Sequence, residues 1–491
     1  MSFQLHNILI FLLVLPLVGI LSIFFLPTWN DVLIKKIALF FSGLSVILSL
    51  FLLSFFNFSQ SQFQFYLKFN WISNLNFNFI LGIDGISLFF ILLTNLLIFL
   101  CILISWNSIK YNLKLYFSLF FFFFFLFIGV FCVFFFFFFF FFFESVLIPM
   151  YLLIGFWGSR VRKIRAAYFF FLYTLLGSVL FLLTIIYIYY QIGTTSFEIL
   201  TTVSFTLKEQ KILWLSFFVS FATKIPMVPV HLWLPEAHVE APTSGSVILA
   251  GILLKLGTYG FIRFLFPFFP QSCYYFSPLV YSIAAISIVY TSLTAIRQTD
   301  FKRIIAYTSI AHMNLVILGL FSFNVIGIEG AILQSLSHGF VASALFAIIG
   351  VIYDRYHTRT VKYYGGLVHI MPLYIFIFLF FTLSNIGLPG TGSFVGELLI
   401  LIGSFQTNIA ITVIGASSMI LGGCYSLWLF NRIAYGNLKT QYIKKFVDLN
   451  QREFYIFLPF FLGTIIMGLY PNIFLNPIHL SVNLLIQLMQ F

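Results

Sequence analysis

Apolar runs of about twenty residues follow one another almost without pause from residue 7 to residue 476. A run of that length is what a helix needs to cross the hydrocarbon of a bilayer. The strands of a membrane barrel would instead show short alternating segments. Charged residues make up only 8% of the chain and hydrophobic residues 62%, whereas a soluble globular protein carries about 25% charged residues. The expected fold is therefore an all-α polytopic membrane protein. The candidate spans are 7–26, 34–56, 84–106, 113–132, 133–156, 166–190, 210–229, 243–267, 277–295, 302–321, 326–351, 370–403, 405–431 and 454–476.

The formal charge of +12 invites a nucleic-acid partner, but no basic-aromatic groove or compact basic domain accompanies it. Topology explains the charge better, because loops on one face of a membrane protein collect Lys and Arg. With about 14 spans, the loops and helix ends of one face hold 19 basic residues, among them Lys302, Arg359, Lys444 and Lys445. Those of the opposite, outer face hold Lys68, Lys208, Lys211 and Arg263. Both termini are then expected on the outer face. The two basic residues left over, Lys224 and Lys255, fall inside the spans.

The four cysteines at 101, 132, 273 and 424 are scattered singly. No CxxC spacing is present, so disulfide frameworks, iron–sulfur clusters and zinc sites are not expected, and no cofactor is expected in this chain. The N-terminal stretch lacks a basic n-region and a small-residue cleavage site, and reads as a retained first helix. A chain this apolar without an import signal suits synthesis inside its own compartment, an organelle or a bacterium. The phenylalanine runs 120–125 and 134–143 give no turn signal and read as lipid-tolerated filler from an AT-rich genome.

Against this background the charges inside the spans stand out. An ionisable group at membrane depth costs roughly 2.5–3.5 kcal/mol on insertion scales and marks an ion or proton path. Residues 224–260, KIPMVPVHLWLPEAHVEAPTSGSVILAGILLKLGTYG, carry Lys224 and Lys255, with prolines at 226, 229, 235 and 242. Pro226 and Pro229 free backbone carbonyls just after Lys224, and unpaired backbone in lipid needs protein or water to line it. Glu144 follows ten consecutive phenylalanines, so its partner must come from another helix. A lysine on a facing helix would make a poised pair; the alternative is an ion pair that merely locks two helices. A second break, Pro389–Gly390, precedes Glu397 by about two turns. Paired interrupted helices mark transporters built from two inverted repeats. His231, His312 and His338 supply groups that titrate near pH ~6.5, and of these His338, mid-helix beside Ser335 and Ser337, is the strongest relay candidate. His238 reads as a structural histidine, and Glu236 and Glu240 as surface or entrance groups.

These residues resemble a known family, the antiporter-like subunits of respiratory complex I. The stretch 224–260 is the most specific part. GIDGIS at 82–87, TDFKRIIAYTSIAHMN at 299–314, QSLSHGF at 334–340 and GLPGTGSFVGELLIL at 387–401 are similar to the same family. The resemblance covers residues 80 to 430. It implies about 14 transmembrane helices in two inverted repeats, with broken seventh, eighth and twelfth helices. Residues 1–112 would be N-terminal helices and an outer loop, 113–431 the antiporter-like core, and 432–491 an inner loop, last transmembrane helix and tail. It further implies that Glu144 and Lys224 form the family's ion pair, that Lys255 and His338 lie along the central axis with His231 and His312, and that Glu397 is the acid at the exit. Glutamate rather than lysine at 397 sets the chain apart from the subunit 5 and Mrp-type members.

Functionally, the resemblance implies a proton pump without redox chemistry of its own. No GxGxxG or P-loop is present, so FMN, iron–sulfur clusters and ubiquinone are expected in other subunits. The expected partners are complex I membrane subunits, especially the paralogous antiporter-like subunits 2 and 5, together with lipids, in the mitochondrial inner membrane. The rival readings are an Mrp-type sodium/proton antiporter subunit, a plastid paralogue working with ferredoxin, and a scaffold that pumps nothing.

Overall fold

The computed structural model describes residues 7–439, 441–443 and 446–489. Lys444 and Lys445, counted above with the basic face, lie outside the described residues, as do the first six residues of the N-terminal stretch. Among the described residues, thirteen helices are long and apolar enough to cross a membrane. In chain order we number α1 Ile8–Phe25, α2 Asp31–Phe55, α3 Gly85–Ser108, α4 Leu113–Cys132, α5 Phe136–Trp157, α6 Lys163–Ile192, α8 Thr243–Phe268, α9 Pro270–Arg297, α10 Phe301–Leu320, α11 Val325–Tyr356, α13 Ile409–Ala434, α14 Gln451–Leu469 and α15 Asn472–Met489. Two further helices come in pieces: α7a Leu207–Lys224 with α7b Trp233–Glu240, and α12a Pro372–Ile386 with α12b Gly392–Thr407.

Both breaks fall where proline and glycine deny the backbone its ladder. Helix α7a ends on Lys224 itself, and Pro226 and Pro229 occupy the connection to α7b. Between α12a and α12b, Gly387 and Gly390 both take positive φ, at 87° and 94°, a region open to glycine at little cost. The eighth helix differs from expectation. It stays helical throughout and instead carries two π-helical stretches, Leu249–Leu253 and Phe261–Leu265. No proline lies between Thr243 and Phe266 to force a break, and single π turns absorb an extra residue without opening the helix. Lys255 sits between the two.

Residues fall into two compact units. The first comprises Met1–Ile225, Ile252–Ser277 and Asn476–Phe491. Here the outer loop between α2 and α3 forms an antiparallel hairpin, β1 Gln64–Ile72 with β2 Phe77–Ile83, a strand pair the helical reading passed over. The hairpin also sets the boundary between α4 and α5. Phe134 donates its backbone N–H to the Ile80 carbonyl, and Phe136 donates to that of Thr195. The turn at 133–135 therefore falls at the expected division between two spans, held by tertiary pairing rather than by turn residues.

The phenylalanine run beyond that turn is not uniform filler. Phe136, Phe139 and Phe143 are wholly buried, while Phe141 is 53% exposed. Phe136 meets Phe181, Phe217 and Phe264 with centroids 5.2–5.3 Å apart, which is ordinary aromatic packing distance. One face of α5 is core and the other faces outward. The C-terminal tail, expected as a short extension, is the 18-residue helix α15. It lies against the start of α3, where Gly85 donates to Ser481 Oγ at 3.2 Å.

The second unit comprises Pro226–Gly251 and Pro278–Leu475. Its centre is α11, which packs along α10, α12b and α14. Of its residues from Gly327 to Ile352, only Phe340 is not buried. A helix covered on every side in this way belongs in the interior of a bundle, and its polar residues, Gln334, Ser337 and His338 among them, are buried with it.

Candidate proton-handling sites

In the first unit, Lys224 is wholly buried and its Nζ lies 3.6 Å from Glu144 Oε1. The ammonium also donates to the Phe143 carbonyl at 3.3 Å and faces the Phe143 ring at 4.4 Å. Glycine makes this approach of helices possible. A Cβ on Gly177 in α6 would stand 2.6 Å from Thr223 Oγ1 in α7a, so any larger residue would push away the helix that ends on Lys224. At this separation the pair attracts by about 4 kcal/mol at an effective dielectric of ~20. Burying the two charges costs several kcal/mol per ion. The cost is at least as large as the attraction, so a small displacement can break the pair. Lys255 is also wholly buried, on the same unit's part of α8.

In the second unit a separate set surrounds Glu397, which is 1% exposed. Its Oε1 lies 3.1 Å from His312 Nδ1 and accepts from Gln334 Nε2 at 3.1 Å. Gln334 Oε1 in turn accepts from Ser337 at 3.2 Å. His338 stands beside His312, with ring centroids 5.8 Å apart. Again a glycine permits the contact: a Cβ on Gly396 would meet the Gln334 Cα at 2.8 Å. The structure thus brings together three expected residues, Glu397, His312 and His338. Gln334 is an addition that sequence reading missed, though it lies in the same QSLSHGF stretch. His231 faces Tyr290 and Tyr307, with centroids 5.8 and 6.4 Å away, rather than the Glu397 group. His238 is buried flat against Phe346 at 4.4 Å, as a structural histidine should be.

Four charged residues are more deeply buried than their placing at loops and helix ends suggested. Arg263, assigned to the loops and helix ends of the outer face, is 5% exposed and pairs with Asp84 at 2.6 Å. The rings of Phe63, Phe134 and Tyr259 surround its guanidinium at 5.0–5.3 Å. Lys302 and Arg359, assigned to the loops and helix ends of the basic face, are 1% and 0% exposed. Glu240, read as a surface or entrance group, is 2% exposed and lies 3.6 Å from Arg359 Nη2. Counting charges along loops cannot see that neighbouring helices cover them. Glu236 does stay at the surface, paired with Arg303 at 2.5 Å and about one-third exposed.

Residues 135–422 match the family model of the NADH:quinone oxidoreductase/Mrp antiporter transmembrane proteins. The chain is 55% identical to NADH-ubiquinone oxidoreductase chain 4 of Marchantia polymorpha over 97% of its length and 96% of the relative's. It is 54% identical to the same protein of Chondrus crispus, covering 99% of both chains. The chain belongs to the chain 4 family of NADH-ubiquinone oxidoreductase. Its fold agrees: a chain in the solved respiratory complex I from Thermus thermophilus with bound NADH is 26% identical, with a TM-score of 0.88 and coverage of 98% and 99%. As a member of that family it is a multi-pass membrane-arm subunit of respiratory complex I.

Proposed function

We propose that this complex I membrane-arm subunit moves protons with two sets of buried groups, Glu144, Lys224 and Lys255 in one unit and His312, His338 and Glu397 in the other. One observation carries the reading: each unit places a buried protonatable group beside a helix break, Lys224 at the end of α7a and Glu397 in the first turns of α12b. Freed backbone at a break is tolerated at membrane depth where protein or water lines it, and paired breaks are how transporters build their sites. Opening the Glu144–Lys224 pair releases a proton from the lysine in the first unit, and in the second unit the histidines hand a proton to Glu397. His231 serves the same axis as a secondary group.

Moving one charge against 100 mV costs about 2.3 kcal/mol, so the pair must act as a gate driven from outside the chain. FMN, iron–sulfur clusters and ubiquinone in other subunits supply the redox energy, and the paralogous antiporter-like subunits 2 and 5 are the neighbours through which it passes. The glutamate at 397 favours this reading over a stand-alone sodium/proton antiporter. The eukaryotic sources of the relatives support the mitochondrial inner membrane. Lys224→Ala in the assembled complex should abolish proton pumping in sealed vesicles while NADH oxidation and assembly persist. Full proton stoichiometry in that variant would sink the proposal.

A further inference from the structure

The expected proton path leaves one buried lysine without a task. Lys302, in the first turn of α10, is 1% exposed. Its Nζ donates to the Ala241 carbonyl at 2.7 Å and to Ser246 Oγ at 3.3 Å. Among the described residues, no carboxylate lies within 4.0 Å of it. The nearby acids are engaged elsewhere: Arg359, fully buried, lies 3.6 Å from Glu240 and 3.7 Å from Asp300, and also donates to the Val239 carbonyl. Asp354 is the remaining acid whose field reaches the ammonium. The ring of Tyr353 completes the surroundings, 5.9 Å from Lys302 Nζ and 5.3 Å from Arg359 Cζ.

A buried lysine kept only as a structural cation would have a carboxylate against it, because an unpaired buried charge is costly. Lys302 instead has two neutral partners that suit either protonation state. As an ammonium it donates to the carbonyl and to Ser246 Oγ. As a neutral amine it still donates to the carbonyl, and its lone pair accepts the hydroxyl hydrogen of Ser246, which can both donate and accept. The next residue, Arg303, forms the one-third-exposed pair with Glu236, so the chain reaches the surface one residue from the site.

We propose that Lys302 is a proton-loading residue of the second unit, taking a proton from the basic-rich face as an ammonium and releasing it as an amine, with Ser246 reorienting between the two states. The inference rests on the proton-pumping reading above. It is tested in assembled complex I in sealed vesicles, by the protons moved per NADH oxidised. Lys302→Arg keeps a cation and its hydrogen bonds but cannot deprotonate, since the guanidinium stays charged in proteins. Protons per NADH should fall in Lys302→Arg and recover in part in Lys302→His, which titrates. A purely structural cation predicts the reverse order, with Arg rescuing and His failing, and that result overturns the proposal. If Lys302→Arg does not assemble, Ser246→Ala decides: a loss of protons per NADH supports the proposal and an unchanged ratio overturns it. Lys224→Ala runs alongside. Full pumping there defeats the general reading, whereas loss there with full pumping in Lys302→Arg and Ser246→Ala defeats this inference alone.

Discussion

His312 and Gln334 converge on one oxygen of Glu397, each at 3.1 Å. A carboxylate that receives two donors on a single oxygen is held in place, so only its protonation is left to change. Glu397→Gln keeps an oxygen in that position, able to accept both contacts, but cannot take up or release a proton. Protons moved per NADH should therefore fall sharply with assembly unchanged. A variant pumping at the full ratio would remove Glu397 from the path.

Glu144→Gln should uncouple pumping for a different reason. The amide no longer attracts Lys224 as an ion, so the gating term of about 4 kcal/mol disappears from one state. NADH oxidation measured with an uncoupler present should continue, and vesicle acidification should be lost. Glu144→Asp, which retains the charge on a shorter stem, should keep part of it. Unaffected pumping in Glu144→Gln would instead favour a scaffold role for the pair.

The Asp84–Arg263 pair tests burial rather than transport. Asp84→Ala leaves a guanidinium uncompensated inside the first unit, a change that costs about 3–5 kcal/mol. The amount of assembled complex and its thermal midpoint should both drop. Replacing both residues, Asp84→Leu with Arg263→Met, should recover much of the loss. Equal damage in the single and double variants would show that the charge is not what matters.

Packing at Gly396 admits a similar check. An alanine Cβ there would press on the Cα of Gln334 at 2.8 Å, and overpacking of this kind costs about 1–3 kcal/mol. Gly396→Ala should lower the thermal midpoint and weaken pumping together, because the displaced helix carries Glu397. An unchanged midpoint would mean the two helices separate freely.

Within the phenylalanine run, position decides the cost. Phe136→Ala removes a ring from a buried cluster and should cost about 3–5 kcal/mol. Phe141→Leu, on the exposed face, should stay within about 0.5 kcal/mol. Assembled yields after mild heating would separate the two, and equal yields would contradict the packing described for α5.

The spans and the main ionisable groups were legible because lipid makes each charge conspicuous. Glu144, Lys224 and Lys255 are readable from their isolation alone, and the breaks at Pro226 and Pro389 from residue type. Even the turn at 133–135 falls at the expected division, although its cause, the pairing of Phe134 with β2, depends on residues about fifty positions away. Illegible were the roles that depend on what covers a side chain. Lys302, Arg359 and Arg263 look like loop or helix-end cations in sequence, and only the neighbouring helices reveal them as buried. The β1–β2 hairpin did leave a trace, the polar–apolar alternation around residues 64–83, which a search for helices overlooks. Gln334 carries no charge, so nothing marked it before Glu397 was seen beside it.

A Cβ on Gly85 would fall 2.0 Å from the carbonyl oxygen of Pro477, so the first turn of α3 and the last helix meet backbone to backbone. The first unit therefore contains a piece of chain made nearly four hundred residues after the surface it covers. While the protein is being synthesised, that surface must wait through the insertion of every later helix before its final element arrives. A frameshift or premature stop near residue 470 would thus injure the part of the protein built earliest. Gly85→Ala should do likewise, yielding a full-length chain whose C-terminal helix stays open to protease.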